Sequence, residues 1–366
     1  MSKTDIEWCT DVWNPLRGCT RVSRGCERCY AEKIAYRFRG PGLAFEGLTT
    51  VKGRWNGTIK LVPEKLSEPL RWRKPRRVFV NSMSDLFHEG VPDEYIAAVF
   101  GVMAASPQHT FQVLTKRPER AAKWFHWLDH GPDSNGDRRC WYPFGVEAAK
   151  YGIGVTDGMM RAIGSHPLHP NRRADAWPLP NVWLGVSVED QATADERIPL
   201  LLQCPAAVRF VSYEPALGPV DFSAWISGNE QCGNCGTLWD PPNPPELEPC
   251  RGCGLLARDV ACSCHGPNQS VEPPLSWLIV GGESGPGARP FDLAWARSTV
   301  RQTRAAGVAC FVKQLGAMPY MMEPAWENGF VGDDVRARWP CEDPKGGNMS
   351  EWPEDLRVRQ FPEVRP

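Results

Sequence analysis

Arg77-Val78-Phe79-Val80-Asn81-Ser82-Met83-Ser84-Asp85 opens with a short apolar, β-branched strand, Arg77–Asn81, and runs on into polar residues. A strand of this kind suits a sheet covered on both faces. Working outward, the same unit recurs. Pro92–Ala105 predicts a helix, with Asp93 and Glu94 in the first turn, where the helix dipole favours acids. Thr110–Thr115 predicts a strand and Pro118–Leu128 a helix started by proline. Asn181–Ser187, Val208–Tyr213, Trp277–Gly281 and Ala309–Lys313 read as further strands. Gln191–Gln203 and Leu293–Ala306 read as helices, the second closed by Gly307. Upstream, Thr4–Trp8 alternates polar and apolar like a short strand, Glu27–Arg39 reads as a helix ending at Gly40, and residues 40–57 as a glycine-rich loop. Thr58–Val62 and Pro63–Trp72 read as another strand and helix. Alternating strands and helices imply a parallel sheet. Six to eight such units without a dinucleotide fingerprint predict an α/β fold, a full or partial TIM-type barrel. The doubly wound open sheet is the alternative.

Two stretches break the rhythm. Residues 130–180 are rich in Gly, Pro, Asn and His, with one possible helix at Phe144–Tyr151, and are far longer than a βα connection needs. Residues 219–275 form a second insertion. The expected organisation is therefore a first barrel part at 1–218, an inserted module at 219–275, a last barrel part at 276–318, and an extension at 319–366 that wraps the outside.

The predicted strands end in chemistry. Ser82, Ser84 and Asp85 follow one strand, and Lys116 and Arg117 the next. Ser187, Glu189 and Asp190 follow another, then Glu214, then Gly281-Gly282-Glu283-Ser284. In a parallel barrel these ends build a shared mouth. Asp190 and Asp292 fit helix N-caps, whereas Glu189, Glu214 and Glu283 are candidates for ligand contact.

Cys19-Thr20-Arg21-Val22-Ser23-Arg24-Gly25-Cys26-Glu27-Arg28-Cys29-Tyr30 carries three cysteines spaced C-x6-C-x2-C, with no fourth until Cys140. Structural zinc and electron-carrying clusters usually take four protein ligands. Three thiolates on a short loop suit a 4Fe-4S cluster with one iron open to a small molecule. Separately, Cys232, Cys235, Cys250 and Cys253 form two C-x2-C knuckles fourteen residues apart, the spacing of a zinc ribbon. A second iron centre is the alternative there. Cys262, Cys264 and His265 lie just beyond and stay unassigned.

The runs Asp5-Ile6-Glu7-Trp8, Trp13-Asn14-Pro15, Gly18-Cys19 and Gly25-Cys26-x-x-Cys29-Tyr30-Ala31-Glu32 carry a wider resemblance. So do Ser84–His88, Leu114–Pro118, Gly185–Glu189, Ser212–Pro215, Gly281–Gly285 and Lys313-Gln314. Together they resemble an uncharacterised three-cysteine-motif family, common in bacteriophages and also found in bacteria. That family in turn is similar to radical S-adenosylmethionine (SAM) enzymes. The usual spacing there is C-x3-C-x2-C with an aromatic before the last cysteine; here the first gap is six and that position is Arg28. The resemblance implies a cluster loop after the first barrel strand, with Cys19, Cys26 and Cys29 holding 4Fe-4S, and SAM as cofactor. The residues expected around SAM are those of the strand ends and the cluster loop: Tyr30, Ser82, Asp85, Lys116, Ser187, Glu189, Glu214, Gly281, Gly282 and Glu283. The resemblance also implies an electron donor such as a flavodoxin or ferredoxin. In the similar enzymes, a Gly-Gly-Glu element that contacts the amino group of SAM follows an early strand; here it follows a late one.

Composition bounds the partners. The 366 residues have net charge −1, so no whole-molecule field attracts a polyanion. Residues 1–80, however, hold 17 Lys and Arg against 8 Asp and Glu. The run Arg71-Trp72-Arg73-Lys74-Pro75-Arg76-Arg77 offers phosphate contacts and a ring for stacking. The 14 cysteines, without an apolar leader, point to a reducing cytoplasm rather than a disulfide scaffold. The longest apolar stretch, Tyr95–Ala105, is too short to cross a bilayer. The expected function is radical-SAM-like hydrogen abstraction from a substrate such as a nucleic-acid base. The rivals are a non-catalytic, metal-stabilised nucleic-acid-binding protein and a barrel enzyme whose cluster serves only electron transfer or folding.

Overall fold

The computed structural model describes residues 4–130, 147–153, 178–227, 274–323 and 335–363, with short strand pieces at 230–231, 238–239, 269–270, 326–327 and 330–331. Seven strands form one parallel sheet: β1 (Asp11–Trp13), β2 (Arg77–Val80), β3 (Thr110–Thr115), β4 (Val182–Val188), β5 (Val208–Tyr213), β6 (Trp277–Gly281) and β7 (Ala309–Gln314). They lie side by side in chain order. A doubly wound sheet reverses its strand order at a switch point. This one does not, and it curls into a half-barrel whose two edge strands stay apart.

Among the described residues, the longer helices beside the sheet are α1 (Tyr30–Arg37), α2 (Asp93–Ala104), α3 (Pro118–His130), α4 (Gln191–Leu202) and α5 (Leu293–Ala306). Every residue of α2 from Tyr95 to Ala104 is buried, which explains why its sequence is apolar all round. Asp190 and Asp292 are N-caps as read: Asp190 forms a capping box with Thr193, and Asp292 accepts from the Ala294 amide at 2.9 Å. Gly307 closes α5 at φ 66°, a left-handed turn that glycine takes without strain.

Three expectations upstream of β2 fail for physical reasons. Thr4–Trp8 is no strand; the chain turns, with the Cys9 amide on the Ile6 carbonyl at 3.2 Å, and tucks Trp8 under the sheet. The first strand is Asp11–Trp13 instead. Pro63–Trp72 is not one helix but two 3-10 turns, Pro63–Lys65 and Pro69–Arg71. A proline at 69 would lack an amide and clash inside a continuous helix. Thr58–Val62 shrinks to Lys60–Leu61, paired antiparallel with Leu16–Arg17 outside the main sheet. The ribbon cysteines Cys232, Cys235, Cys250 and Cys253, with Cys262, Cys264 and His265, lie outside the described residues.

Strand alternation divides the sheet. Val78, Val80, Val113, Val186 and Val211 belong to the core shared with the helices. Phe79, Trp183, Phe210, Trp277 and Phe311 belong to a separate core on the concave face, joined by Trp8. Trp277 is its hub. Its ring lies 5.7 Å from Trp183, 5.6 Å from Phe210, 6.1 Å from Phe311, 6.4 Å from Trp8 and 5.3 Å from Phe361. Phe361 comes from the tail, which runs along the β7 edge. The Val312 amide donates to the Val358 carbonyl, and the Gln360 amide to the Cys310 carbonyl, each at 2.8 Å. The tail thus covers backbone groups that an edge strand would otherwise expose.

Gly185 sits against this floor: a Cβ there would lie 2.6 Å from the Phe210 ring. Gly185→Ala is expected to lower stability by about 1–3 kcal/mol through overpacking. Thermal or urea denaturation checks it, and an unchanged midpoint would show that the floor has slack.

Candidate functional site

The alternation that places aromatics at the bottom of the concave face places polar groups at its top. Lys116, Glu189 and Glu214 stand just past β3, β4 and β5, with Gly281 ending β6 and Lys313 near the end of β7. There Lys116 pairs with Glu189, and Glu214 with Lys313.

Glu189 is the best connected of them and only 1% exposed. Its carboxylate accepts from Arg197 Nη1 at 3.1 Å and lies 3.4 Å from Lys116 Nζ. It also accepts from Ser23 Oγ at 2.9 Å, which ties the cysteine loop to the sheet. Gly25 is pressed onto the same carboxylate; a Cβ there would meet Oε1 at 2.3 Å. Burying a carboxylate is tolerable only with partners such as these. Arg197 and Ser23 were not among the residues singled out from sequence.

Asp85 anchors the other side of the loop. One oxygen accepts from the Phe87 amide and Thr115 Oγ1, the other from the Lys116 amide and Arg117 Nη1. Four bonds occupy it fully, so it acts as a bracket for Arg117. Arg117 donates to Thr20 Oγ1 at 2.6 Å, to the Thr20 carbonyl at 3.1 Å and to Cys19 Sγ at 3.8 Å. His88, which accepts from the Gly90 amide at Nδ1, meets Thr20 Oγ1 through Nε2 at 3.0 Å. Burial pushes the His88 pKa down, helped by the Arg117 charge, and so favours the neutral ring. Glu32 on α1 holds Arg21 through both oxygens and takes the Trp55 amide at 3.0 Å.

The three thiols are electrostatic neighbours. Burial, helped by Asp85, pushes Cys19 up to about 12 against the opposing pull of Arg117. Burial also raises Cys29, although the Glu32 and Ala31 amides at the start of α1 point at its sulfur. Guanidinium and amide donors aimed at sulfur are the surroundings a metal-bound thiolate needs. In their present positions, no group of three His, Cys, Asp or Glu among the described residues is close enough to hold a metal ion. The donor chemistry fits a cluster; seating one requires the loop to draw its sulfurs together.

Glu214 faces Lys313 at 3.1 Å and accepts from Ser212 Oγ at 3.1 Å. Burial alone would lower the Lys313 pKa, but the Glu214 and Glu7 carboxylates outweigh it and hold the ammonium above its ordinary range. Gly281 makes room for this pair, since a Cβ would lie 2.9 Å from Glu214 Oε1. Glu283 is engaged elsewhere: Arg289 donates to it from its amide and guanidinium, and also reaches Glu27 on the cysteine loop at 3.2 Å. Burial would raise Glu283, yet Arg289 holds it below its ordinary value. Gly282 packs against Phe291 and the Leu315 carbonyl. Ser187 gives its carbonyl to Arg197 at 2.7 Å. Tyr30 donates to the Ser82 carbonyl at 2.7 Å, and the Ser82 hydroxyl bonds Asn14.

Asn81 carries a signal that sequence alone did not supply. It is buried at φ 63°, and both amide atoms lack a partner among the described residues. An unsatisfied buried amide costs roughly 1–3 kcal/mol. The basic run before β2 is partly spent inward: Arg76 pairs with Asp11 and stacks on Trp72 at 4.8 Å, and Arg77 lies 3.9 Å from the Phe361 ring.

Residues 3–335 match the DUF5131 family, described as "Protein of unknown function", and the chain belongs to that family. No curated protein and no solved structure matches it. No helix among the described residues is long and apolar enough to cross a membrane.

Two expectations follow from the anchors. Ser23→Ala and Gly25→Ala should each loosen the cysteine loop, raising the alkylation rates of Cys19, Cys26 and Cys29 several-fold by mass spectrometry; unchanged rates would remove Glu189 as its anchor. Glu283 has a depressed pKa, so its pairing with Arg289 stabilises the fold above the ordinary carboxylate value of 4.5 and is lost as pH falls through the lower folded value. Glu283→Gln should therefore flatten the acid limb of the stability profile while costing stability at neutral pH. A profile as steep as the parent's below pH 4.5 would contradict this.

Proposed function

We propose that this DUF5131 member is a radical-SAM-like iron–sulfur enzyme acting on a substrate such as a nucleic-acid base. The observation that carries the reading is positional. Three cysteines lie on one loop after the first strand of a curled parallel sheet, tied by Ser23 to Glu189 at the carboxyl end of β4. In parallel barrels that end carries the reactive groups.

Cys19, Cys26 and Cys29 would hold a 4Fe-4S cluster. When bound, such a cluster supplies the electron that splits SAM into methionine and a 5′-deoxyadenosyl radical able to abstract hydrogen. The chain's own residues supply the setting. Arg117 and the first amides of α1 stabilise thiolate charge. Glu189 and Asp85 hold the loop in place from opposite sides. Glu214 and Lys313 offer opposite charges for the amino and carboxylate groups of a zwitterionic ligand, once their mutual pairing is exchanged. The Trp277-centred floor closes the bottom of the half-barrel and excludes water there. Glu283, committed to Arg289, serves in this reading as a clamp between two loops. A structural zinc at Cys232, Cys235, Cys250 and Cys253 belongs to the same proposal, as does an electron donor such as a flavodoxin or ferredoxin.

The test is anaerobic reconstitution followed by metal analysis and chromatography after dithionite reduction. About four irons per chain are expected, with zinc retained when Cys19, Cys26 and Cys29 are each changed to alanine and iron is lost. SAM should yield methionine and 5′-deoxyadenosine. Zinc alone, with no 5′-deoxyadenosine in the presence or absence of DNA and RNA, would instead favour a metal-stabilised nucleic-acid-binding protein.

A further inference from the structure

Helix α1 presents an apolar stripe to solvent. Its buried side is Ala31, Ala35 and the Arg21-paired Glu32. Tyr30, Ile34 and Phe38, four residues apart, are 49%, 39% and 45% exposed. At the helical rise they stand about 6 Å apart along one face. Tyr36 lies on another side of the helix, its ring between Gly53 and Arg39, the latter at 4.1 Å, while Arg37 lies over Phe38 at 5.6 Å. Single exposed apolar residues need no explanation, but a contiguous row of them marks a contact surface.

The charge around the stripe has one sign. Residues 21–54 contain eight Lys and Arg against three Asp and Glu. Two of the three acids are already paired, Glu32 with Arg21 and Glu27 with Arg289. Lys33 and Arg37 on α1, with Lys52 and Arg54 on the following loop, are exposed. The whole molecule is nearly neutral, so this is a local field rather than a general one. The stripe also begins at Tyr30, the residue after Cys29, so whatever lies on it reaches the half-barrel mouth.

We propose that this face of α1 binds single-stranded nucleic acid, with bases stacked on Phe38 and Tyr30 and phosphates on Lys33 and Arg37. Rings interleaved with cations are the means by which proteins hold unpaired strands without reading sequence. The proposal rests on the nucleic-acid substrate of the proposed function, and gives that substrate a path to the mouth.

Fluorescence anisotropy of the full chain with labelled single-stranded DNA and RNA tests it. Phe38→Ala should weaken binding by roughly 5- to 150-fold, the worth of one stacked base. Lys33→Gln with Arg37→Gln should lower the slope of log affinity against log salt by about 0.7 per cation removed. These side chains are exposed, so melting temperatures should match the parent's and exclude misfolding as the cause. Three results would overturn the proposal: no binding of either strand by the parent, binding that ignores these variants, or a parent dimer or acidic-flavodoxin complex that Phe38→Ala dissolves while strand binding persists. Strand binding that tracks the stripe without SAM cleavage would retain the surface and remove the enzymatic reading. SAM cleavage without such binding would do the reverse.

Discussion

A sheet that curls but does not close has an interior that its own strands cannot fill. The indole of Trp277 meets that constraint. It touches aromatic side chains from the N-terminal turn, from three other strands of the sheet and from the C-terminal tail. Each such ring pair adds roughly 0.5–1.5 kcal/mol beyond simple burial. The chain ends thus meet at one residue, and Trp277 secures the second by donating from Nε1 to the Gln360 carbonyl at 2.9 Å. With the lower half of the concave face packed by rings, the room left for charge lies at the carboxyl ends of the strands.

Charge at that rim is organised by pairing rather than by solvent. Glu189, Asp85, Glu214 and Glu283 each face a buried or half-buried cation. The pairings do different work. Glu189 and Asp85 brace the cysteine loop, Glu283 joins the glycine-rich loop after β6 to it through Arg289, and Glu214 with Lys313 leaves a separable pair of opposite charges. Removing one partner of such a buried pair strands the other, at about 3–5 kcal/mol. The cysteine loop is therefore braced from two sides, and the Glu214–Lys313 pair stands apart from that bracing. The exposed α1 stripe extends the same logic outward: α1 buries Ala31, Glu32 and Ala35, the alanines against Phe45, Leu48 and Trp55, and leaves its large apolar residues exposed.

Much of the frame was legible as a pattern. Thr110–Thr115, Val208–Tyr213, Trp277–Gly281 and Leu293–Ala306 read from residue type alone because buried parallel strands and capped helices have strong local signatures. The caps Asp190 and Asp292 were equally local. Alternation misled at Thr4–Trp8, where Ile6 and Trp8 share a period with a strand but the chain turns to bury the indole. Pro69 was the missed warning in Pro63–Trp72.

What the sequence by itself determined, then, was the repeating strand–helix unit, the capped helices and the clustering of Cys19, Cys26 and Cys29, all of which depend on neighbours in the chain. The candidates for the mouth were named from their place just after predicted strands. The partnerships could not be named in this way. Ser23 meets Glu189 across 166 positions, Arg117 meets Cys19 across 98, and Glu283 shares Arg289 with Glu27 from the opposite end of the chain. Side chains so far apart are brought within hydrogen-bond reach only when the sheet curls. The tertiary structure therefore decided which carboxylates brace the loop and which remain available, since a buried charge takes whatever counter-charge the fold delivers.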